Sequence, residues 1–268
     1  MQKTELDIDR RFGGISRLYG QAGLTKLQAA HIVVIGIGGV GSWAAEALAR
    51  NAVGMITLID LDNINESNVN RQIHAVDGAF GKAKVSAMRE RLFSINPDCQ
   101  IREIEDFITT ENITKHLNFN CNVIVDCIDD TKAKIALAVF CKAQKISLIM
   151  AGSAGGRLDP TRIQIADLAS VTGDKLLAKV RNQLRRDHQF SKASNSQKST
   201  KFNIACVFSD EQVIKPANMQ NDESCKIDTD KNTVSITGLN CAGYGSSVCV
   251  TAPFGFTAAQ LAINLIVA

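Results

Sequence analysis

The sequence lacks the cysteine pattern of a zinc-binding or redox protein. No two of its eight cysteines are separated by two residues, so no Cys-x-x-Cys pair is present and we expect no zinc. A chain of 268 residues buries enough apolar surface to be stable without disulfides. Residues 1–14 carry charges throughout and contain no apolar stretch, which excludes a secretory signal there. These features predict a cytoplasmic protein with reduced thiols.

The sequence also lacks a strong net charge and has few aromatic residues. With 30 Lys and Arg against 27 Asp and Glu, the net charge of +3 is too small for the whole surface to attract nucleic acid. Eleven Phe, two Tyr and one Trp leave little scope for base stacking. Any basic surface is therefore local.

One segment, residues 173–202, concentrates basic residues. It carries eight Lys or Arg against two Asp, and its second half, residues 189–202, is Ser- and Lys-rich and predicts a mobile loop. Contact with nucleic-acid phosphates and an ordinary solvated helix face both explain this charge. The candidate phosphate-contacting residues are Lys179, Arg181, Arg185, Arg186, Lys192 and Lys198.

Charge is absent altogether from residues 232–268. A membrane association through this stretch is one interpretation. Its smooth apolar run, residues 254–268, is shorter than the roughly 20 residues that a spanning helix needs. A buried strand with a closing helix is the other interpretation, and the sequence leaves both open.

Between residues 31 and 151, short apolar runs alternate with helical patterns. This alternation predicts an α/β fold with a doubly wound, Rossmann-like, mostly parallel sheet. We expect a single domain over 1–268, with a helical lead-in at 1–30, a nucleotide-binding core at 31–151 and an extension at 152–268 with further strands and helices. Strands are predicted at 31–36, 55–60, 99–104, 123–128, 147–151 and 162–168, and helices at 42–51, 82–94, 110–117, 131–144 and 174–188.

The first predicted strand leads into a glycine-rich loop. Gly36, Gly38, Gly39 and Gly41 form a GxGxxG pattern between that strand and a predicted helix. Glycines let the backbone approach phosphates, and a helix N-terminus attracts them. Asp60 ends the second predicted strand, where a carboxylate can hold ribose hydroxyls. The loop therefore predicts a nucleotide site that fits NAD and ATP equally.

The residues after the second strand favour ATP. An Asn, an Arg and a Lys beyond the strand ends can neutralise a triphosphate, whereas a dehydrogenase would not need them. Neither tyrosine is followed four residues later by Lys, so the Tyr-x-x-x-Lys pair of some dehydrogenases is absent. The candidate nucleotide-binding residues of this cluster are Asp62, Asn68, Arg71, Gln72 and Lys84.

Two acids follow the fourth predicted strand, which faces the glycine loop across the crevice of a doubly wound sheet. We expect Asp129 to hold Mg²⁺ against triphosphate oxygens and Asp126 to cap a loop or helix. Among the cysteines, Cys206 lies in a strand-like run and is expected to be buried. Cys241 follows Asn240 in a glycine-rich stretch and is either a reactive thiol or a small buried hydrophobe.

The motifs GIGGVG, DLD, SNVNRQ, GKAK and DCIDD, in this order and spacing, resemble the ubiquitin-activating-enzyme-like adenylyltransferases of the ThiF/MoeB type. The resemblance implies carboxylate adenylation with ATP and Mg²⁺ and a homodimer. It places Gly38 and Gly41 at the phosphates and Asp60 at the ribose. It implies catalytic roles for Arg71, Lys84 and Asp129, and ATP contacts for Asn68 and Gln72. An arginine, Arg11 or Arg17, is implied at the γ-phosphate, often from the partner subunit.

Over nearly the whole chain, the sequence is similar to one branch of the family, the dehydratases of tRNA threonylcarbamoyladenosine. That branch implies a tRNA substrate and ATP-dependent dehydration, or cyclisation, through an acyl-adenylate, with release of AMP and pyrophosphate. It makes residues 152–268 the extension on the substrate and tRNA side, which also takes part in dimerisation. The alternative is activation of the C-terminal Gly-Gly of a ubiquitin-like sulfur carrier, whose activators usually carry two Cys-x-x-Cys pairs. A sulfur-transfer protein as partner stays open. The similar segments are 11–20, 36–50, 70–75, 154–169 and 241–256.

Overall fold

The computed structural model describes residues 7–191, 201–214 and 244–268. Within them, seven strands form one sheet in the order β3-β2-β1-β4-β5-β7-β6. Neighbouring strands are parallel except that β6 pairs with β7 antiparallel. This confirms the predicted doubly wound, mostly parallel fold. The strands are β1 (His31–Ile35), β2 (Met55–Ile59), β3 (Gln100–Ile104), β4 (Val123–Asp126), β5 (Ser147–Ala151), β6 (Ile163–Asp167) and β7 (Ile204–Ser209).

Helices cover both faces of the sheet because alternate residues of its central strands point to opposite sides. In β1, Ile32 and Val34 pack in one core cluster with α1, α2, α3 and α7, whereas Val33 and Ile35 pack in the other with α4, α5 and α6. The predicted helix at 110–117 is shorter than expected. The helices are α1 (Ile8–Ala29), α2 (Gly41–Arg50), α3 (Lys84–Ile95), α4 (Ile113–His116), α5 (Thr131–Gln144), α6 (Lys175–Asp187) and α7 (Val248–Val267).

The apolar C-terminal stretch forms α7, which closes the core. Of the helices described, α7 alone is long and apolar enough to cross a membrane, with a mean hydropathy of 1.5 over its most apolar window. Half of that window is buried, and α7 packs on α2. A Cβ at Gly255 would lie 2.4 Å from the Val40 carbonyl oxygen, so the two helices touch closely. Burial against α2 accounts for the apolar composition of the buried half of α7. Residues 232–243 lie outside the described range.

A buried ion pair fixes the end of β4. Asp126 is fully buried and accepts a hydrogen bond from the Ile128 N–H at 3.0 Å, which ends the strand earlier than predicted and agrees with the expected loop cap. The Lys134 Nζ of α5 lies 3.1 Å from Asp126 Oδ2 and donates to the Ala151 carbonyl at 2.8 Å. Burial raises the pKa of Asp126, and Lys134 opposes that effect. Lys134 therefore joins the ends of β4 and β5.

Replacing Lys134 is expected to destabilise the fold strongly. Lys134→Met leaves the Asp126 carboxylate buried without its counter-ion, at a cost of about 3–5 kcal/mol in the free energy of unfolding. Urea denaturation measures it. Lys132→Met, at an exposed position of the same helix, is the matched control and should cost less than about 0.5 kcal/mol. Equal costs for the two variants would contradict the structural role of the pair.

Candidate functional site

Three strand ends meet at one edge of the sheet. Ile35, the last residue of β1, is paired with Ile59 of β2 and with Asp126 of β4. The Gly36 N–H donates to the Ile59 carbonyl at 2.9 Å, and the Cys127 N–H donates to the Ile35 carbonyl at 2.8 Å. The glycine loop therefore leaves the sheet where the strand order reverses, which is the usual ligand crevice of this architecture.

The glycine loop has no room for side chains at two positions and open space at a third. A Cβ at Gly36, where φ is +84°, would lie 3.0 Å from the Cys127 carbonyl, and one at Gly41 would lie 1.8 Å from the Gly36 oxygen. A Cβ added at Gly38 would have no atom within 4 Å, apart from those of Gly38 and its two chain neighbours. Val40, the N-cap of α2, provides no side-chain cap. The loop thus presents an uncapped helix N-terminus beside an open glycine, an arrangement suited to phosphate.

Asp60 holds the glycine loop in place. Its carboxylate is 8% exposed and accepts hydrogen bonds from the Ile37 N–H at 2.6 Å and the Asp62 N–H at 2.9 Å. The Lys84 Nζ lies 3.8 Å from Asp60 and 2.7 Å from Asp62. Burial raises the pKa of Asp60, and Lys84 opposes that rise. The Asp60 carboxylate, which we expect at the ribose, is thus already engaged in hydrogen bonds within the protein. Asp62 is more exposed, and its carboxylate also interacts with Lys84.

The loop after β2 carries the other predicted nucleotide residues. Asn68 is buried, and its side chain accepts a hydrogen bond from the Asn65 N–H at 3.0 Å. Arg71 lies against Gly39, where a Cβ would come within 3.1 Å of the Arg71 Cγ, and burial lowers its pKa. The buried Gln72 has no hydrogen-bond partner for its Oε1 among the described residues. The Arg71 side chain therefore lies beside Gly39 of the glycine loop.

Asp129 is the acid of the β4–α5 loop that other described residues leave unengaged. Asp126 is bound to Lys134, and Asp130 caps α5 by accepting from the Ala133 N–H at 2.7 Å. Asp129 is partly exposed and forms no hydrogen bond or ion pair within the described residues. A single open carboxylate fits Mg²⁺, which is usually held by one or two carboxylates together with phosphate oxygens.

His74 is a buried, neutral neighbour of this cluster. Burial, followed by the charges of Lys84 and Arg91, lowers the pKa of His74 to about 4. Neither ring nitrogen has a hydrogen-bond partner among the described residues. His74 therefore adds no positive charge near Lys84 at neutral pH.

The model of the ThiF family matches residues 12–267. The chain belongs to the ThiF family. This confirms the resemblance to the ubiquitin-activating-enzyme-like adenylyltransferases drawn from the motifs.

Two of the named relatives align with nearly the whole chain, and a third aligns with half of it. The tRNA threonylcarbamoyladenosine dehydratase of Haemophilus influenzae is 46% identical, covering 96% of this chain and 94% of the relative. The crystal structure of the Escherichia coli tRNA N6-threonylcarbamoyladenosine dehydratase in complex with ATP has a TM-score of 0.82 and 40% identity, covering 96% and 94%. The Salmonella typhimurium molybdopterin-synthase adenylyltransferase is 32% identical but covers only 50% of this chain and 54% of the relative.

The basic residues of α6 divide into two groups. Arg181 donates to the Val171 carbonyl, and Arg185 donates to the carbonyls of Ser191 at 3.2 Å and Ala169 at 3.1 Å, so both bind the protein itself. Lys179 and Arg186 are exposed, as is Lys175 on the same face. Arg186 is paired with Asp187 at 2.8 Å. Lys192 and Lys198 lie outside the described residues.

Neither N-terminal arginine forms a hydrogen bond with the glycine loop in the described part of the chain. Arg11 Nη1 donates to the Ile95 carbonyl, at the end of α3, at 2.8 Å. Arg17 is exposed on α1 and forms no hydrogen bond or ion pair with a described residue of the site. Among the described residues, neither arginine therefore has a contact with the glycine loop.

The described cysteines are free thiols. Cys206 is fully buried in β7, as expected from its strand-like surroundings. Cys249 is exposed in the first turn of α7. Cys241 lies outside the described residues.

Sequence reasoning missed two polar groups near the site. Arg157 is 2% exposed; it donates to the carbonyls of Ser153 at 2.7 Å and Ser209 at 2.5 Å and lies 3.4 Å from Asp174. It thereby ties the loop after β5 to the end of β7 and the start of α6. Asn70, next to Arg71, contacts α7. The sequence signals for these residues were the arginine in the GGRLDP turn and the polar NVNRQ run. Neither signal indicates which distant residue the side chain contacts.

Gly38→Ala separates phosphate binding from folding. Because no atom lies within 4 Å of the added methyl group, the melting temperature should stay within about 2 °C. A phosphate seated on the loop would meet that methyl group, so the affinity for ATP in isothermal titration calorimetry should fall at least about tenfold.

The control is Ala143→Ser, which adds one atom at an exposed position near the C-terminus of α5. Its affinity for ATP should equal that of the parent. Unchanged ATP binding by Gly38→Ala would show that the phosphates lie elsewhere.

Proposed function

We propose that this chain catalyses the ATP-dependent dehydration of threonylcarbamoyladenosine in tRNA. The observation that carries the proposal is the end-to-end similarity to dehydratases with that activity, which extends through both the nucleotide core and residues 152–268. Similarity to the molybdopterin-synthase adenylyltransferase stops at about half of the chain. The similarity over residues 152–268, the half that we expect to select the substrate, therefore favours tRNA over a sulfur-carrier protein as the substrate.

The chemistry begins with activation of a carboxylate. A carboxylate resists nucleophiles because its negative charge repels them and oxide is a poor leaving group. A carboxylate oxygen of the threonylcarbamoyl group attacks the α-phosphorus of ATP, the bond to the β-phosphate oxygen breaks, and pyrophosphate leaves. The product is an acyl-adenylate with AMP as a good leaving group.

The second step is a ring closure. The neighbouring ureido group attacks the acyl carbon, the bond to the AMP oxygen breaks, and AMP leaves with the electron pair while the ureido group loses a proton. The tRNA has then lost one water overall. The closure is intramolecular, so no side-chain nucleophile is required.

The protein contributes placement and charge. The glycine loop and the N-terminus of α2 hold the phosphates, with Arg71 and Lys84 neutralising the charge that develops during adenylation. Asn68 and Gln72 complete the pocket, and Asp62 together with Asp60 faces the ribose side. Asp129 would hold Mg²⁺, which neutralises charge on phosphate oxygens when bound.

The tRNA surface is assigned to the exposed face of α6. Lys175, Lys179 and Arg186 follow one another at helical spacing on this face, together with Asn182 and Gln183, and line a surface groove of about 480 Å³. Arg181 and Arg185 are excluded from this role because their guanidinium groups bind backbone carbonyls. The net positive face suits the phosphates of an RNA backbone.

The working form is a cytoplasmic homodimer. A second copy supplies Arg17 to the γ-phosphate because Arg11 is already bound to α3 in its own chain. A dimer therefore completes the ATP site.

Asp129→Asn is expected to abolish turnover and leave folding intact. The substitution keeps the shape of an unengaged side chain but removes the charge that attracts Mg²⁺. With MgATP and tRNA bearing threonylcarbamoyladenosine, the parent should release AMP and yield a nucleoside lighter by one water, detected by mass spectrometry after digestion. The variant should fall at least about 100-fold in rate.

Parent protein that yields no lighter nucleoside would refute the dehydratase activity. Pyrophosphate exchange that depends on a small protein ending in Gly-Gly and ignores tRNA would instead support sulfur-carrier activation. Asp129→Asn with parental turnover would remove Asp129 from the mechanism.

Charge reversal on α6 tests the tRNA surface. Lys175→Glu combined with Lys179→Glu should raise the KM for tRNA about tenfold and reduce the salt dependence of binding, because phosphate contacts are lost. The KM for ATP should stay unchanged. Lys145→Glu, at an exposed residue before β5 at the opposite edge of the sheet, is the control. A tRNA KM that matches the control would place the RNA on another surface.

A further inference from the structure

Asn70 uses both its backbone and its side chain to join two distant parts of the chain. Its carbonyl accepts from the Val248 N–H, the first residue of α7, at 3.0 Å. Its side-chain Nδ2 donates to the Ser246 carbonyl at 2.7 Å, with Ser246 Oγ 3.3 Å away. Its Oδ1 accepts from Arg71 Nη1 at 3.0 Å. The Asn70 backbone therefore contacts the start of α7, while its side chain contacts both Ser246 and the arginine assigned to phosphate binding.

The segment that Asn70 holds crosses the carboxyl edge of the sheet. Residues 244–247, here named the bridging segment, run from the loop after β5 to the loop after β2. At one end the Gly156 N–H donates to the Gly245 carbonyl at 2.7 Å. At the other end Ser246 meets Asn70. The bridging segment thus links the substrate half of the chain to the nucleotide half through a few short contacts.

We propose that Asn70 is a positioning residue that clamps the bridging segment to the nucleotide loop and orients the Arg71 guanidinium for ATP. The expected effect of Asn70 on turnover rests on the proposed function, whereas its expected effect on ATP affinity does not. Arg71 has one other local acceptor, the Ser67 carbonyl at 2.9 Å from the same Nη1. Two acceptors on one nitrogen fix that end of the guanidinium and leave its remaining donors to face a ligand.

The chemistry of an amide explains why Asn suits this position. An amide donates at nitrogen and accepts at oxygen, so it can satisfy a carbonyl on one side and a guanidinium on the other. Aspartate has nearly the same shape and can accept from Arg71, but it cannot donate to the Ser246 carbonyl. Alanine does neither. The two substitutions therefore separate the clamp from the contact with Arg71.

The experiment compares the parent with Asn70→Ala, Asn70→Asp, Arg71→Ala and the double variant Asn70→Ala with Arg71→Ala. ATP affinity is measured by isothermal titration calorimetry, and kcat and KM by AMP release with tRNA bearing threonylcarbamoyladenosine. Asn70→Ala should lower kcat/KM for ATP at least about tenfold through misplacement of the guanidinium. Because Asn70 acts through Arg71, the double variant should lie within about twofold of Arg71→Ala.

A matched control removes a similar contact far from the site. Asn122 Oδ1 accepts from the His31 N–H at 2.8 Å, at the opposite edge of the sheet. Asn122→Ala should keep parental kinetics even if its melting temperature falls as much as that of Asn70→Ala. Comparable kinetic losses in both variants would mean that Asn70 acts only through stability and would overturn the proposal.

Three other results would overturn it. Asn70→Ala within twofold of the parent removes the role, and losses that multiply in the double variant show that Asn70 does not act through Arg71. Full activity of Asn70→Asp shows that the hydrogen bond to Ser246 is not needed. This variant also tests the proposal if Asn70→Ala does not fold. If the parent releases no AMP, the dehydratase function fails, but the ATP titrations still decide whether Asn70 orients Arg71.

Discussion

The close approach of the glycine loop to the backbone at Cys127 is the constraint on which the site depends. Gly36 and Gly41 leave no space for a methyl group between the ends of β1 and β4. The loop therefore turns at the sheet surface, and α2 starts directly above the crevice. The buried pair of Asp126 and Lys134 holds the β4 side of this contact, so the acid loop that follows is fixed by the same arrangement.

Charge at the site is organised before any nucleotide arrives. Lys84 is held by two carboxylates, and Arg71 is held by Ser67 and Asn70. Asp60 simultaneously fixes the backbone of Ile37. Groups held in this way need little rearrangement when a triphosphate binds, which is how electrostatic stabilisation in active sites is effective. Asp60 thus contributes both to fixing the glycine loop and to placing the Lys84 ammonium.

Local patterns in the sequence predict most of the sheet because strand burial and helical period are properties of neighbouring residues. The glycine loop and the loops after β2 and β4 follow from those patterns, and with them the positions of Arg71, Lys84 and Asp129. The end of β4 does not, because the strand stops at Asp126 and not at residue 128. Contacts between distant residues are not encoded in this way: Asn70 and Ser246 are 176 positions apart. Arg181 and Lys179 look alike in a basic helix, yet only the fold turns Arg181 toward the Val171 carbonyl.

The thiols of the described residues differ in burial and therefore in reactivity, which allows selective labelling among them. Burial raises the pKa of Cys99 and of Cys141 to about 12, so these thiols have almost no reactive thiolate at neutral pH. Cys249 is exposed and follows Val248, whose N–H is bound to the Asn70 carbonyl. A fluorophore or spin label attached to Cys249 therefore sits at the junction of α7 and the nucleotide loop, where it reports on the movement of either one.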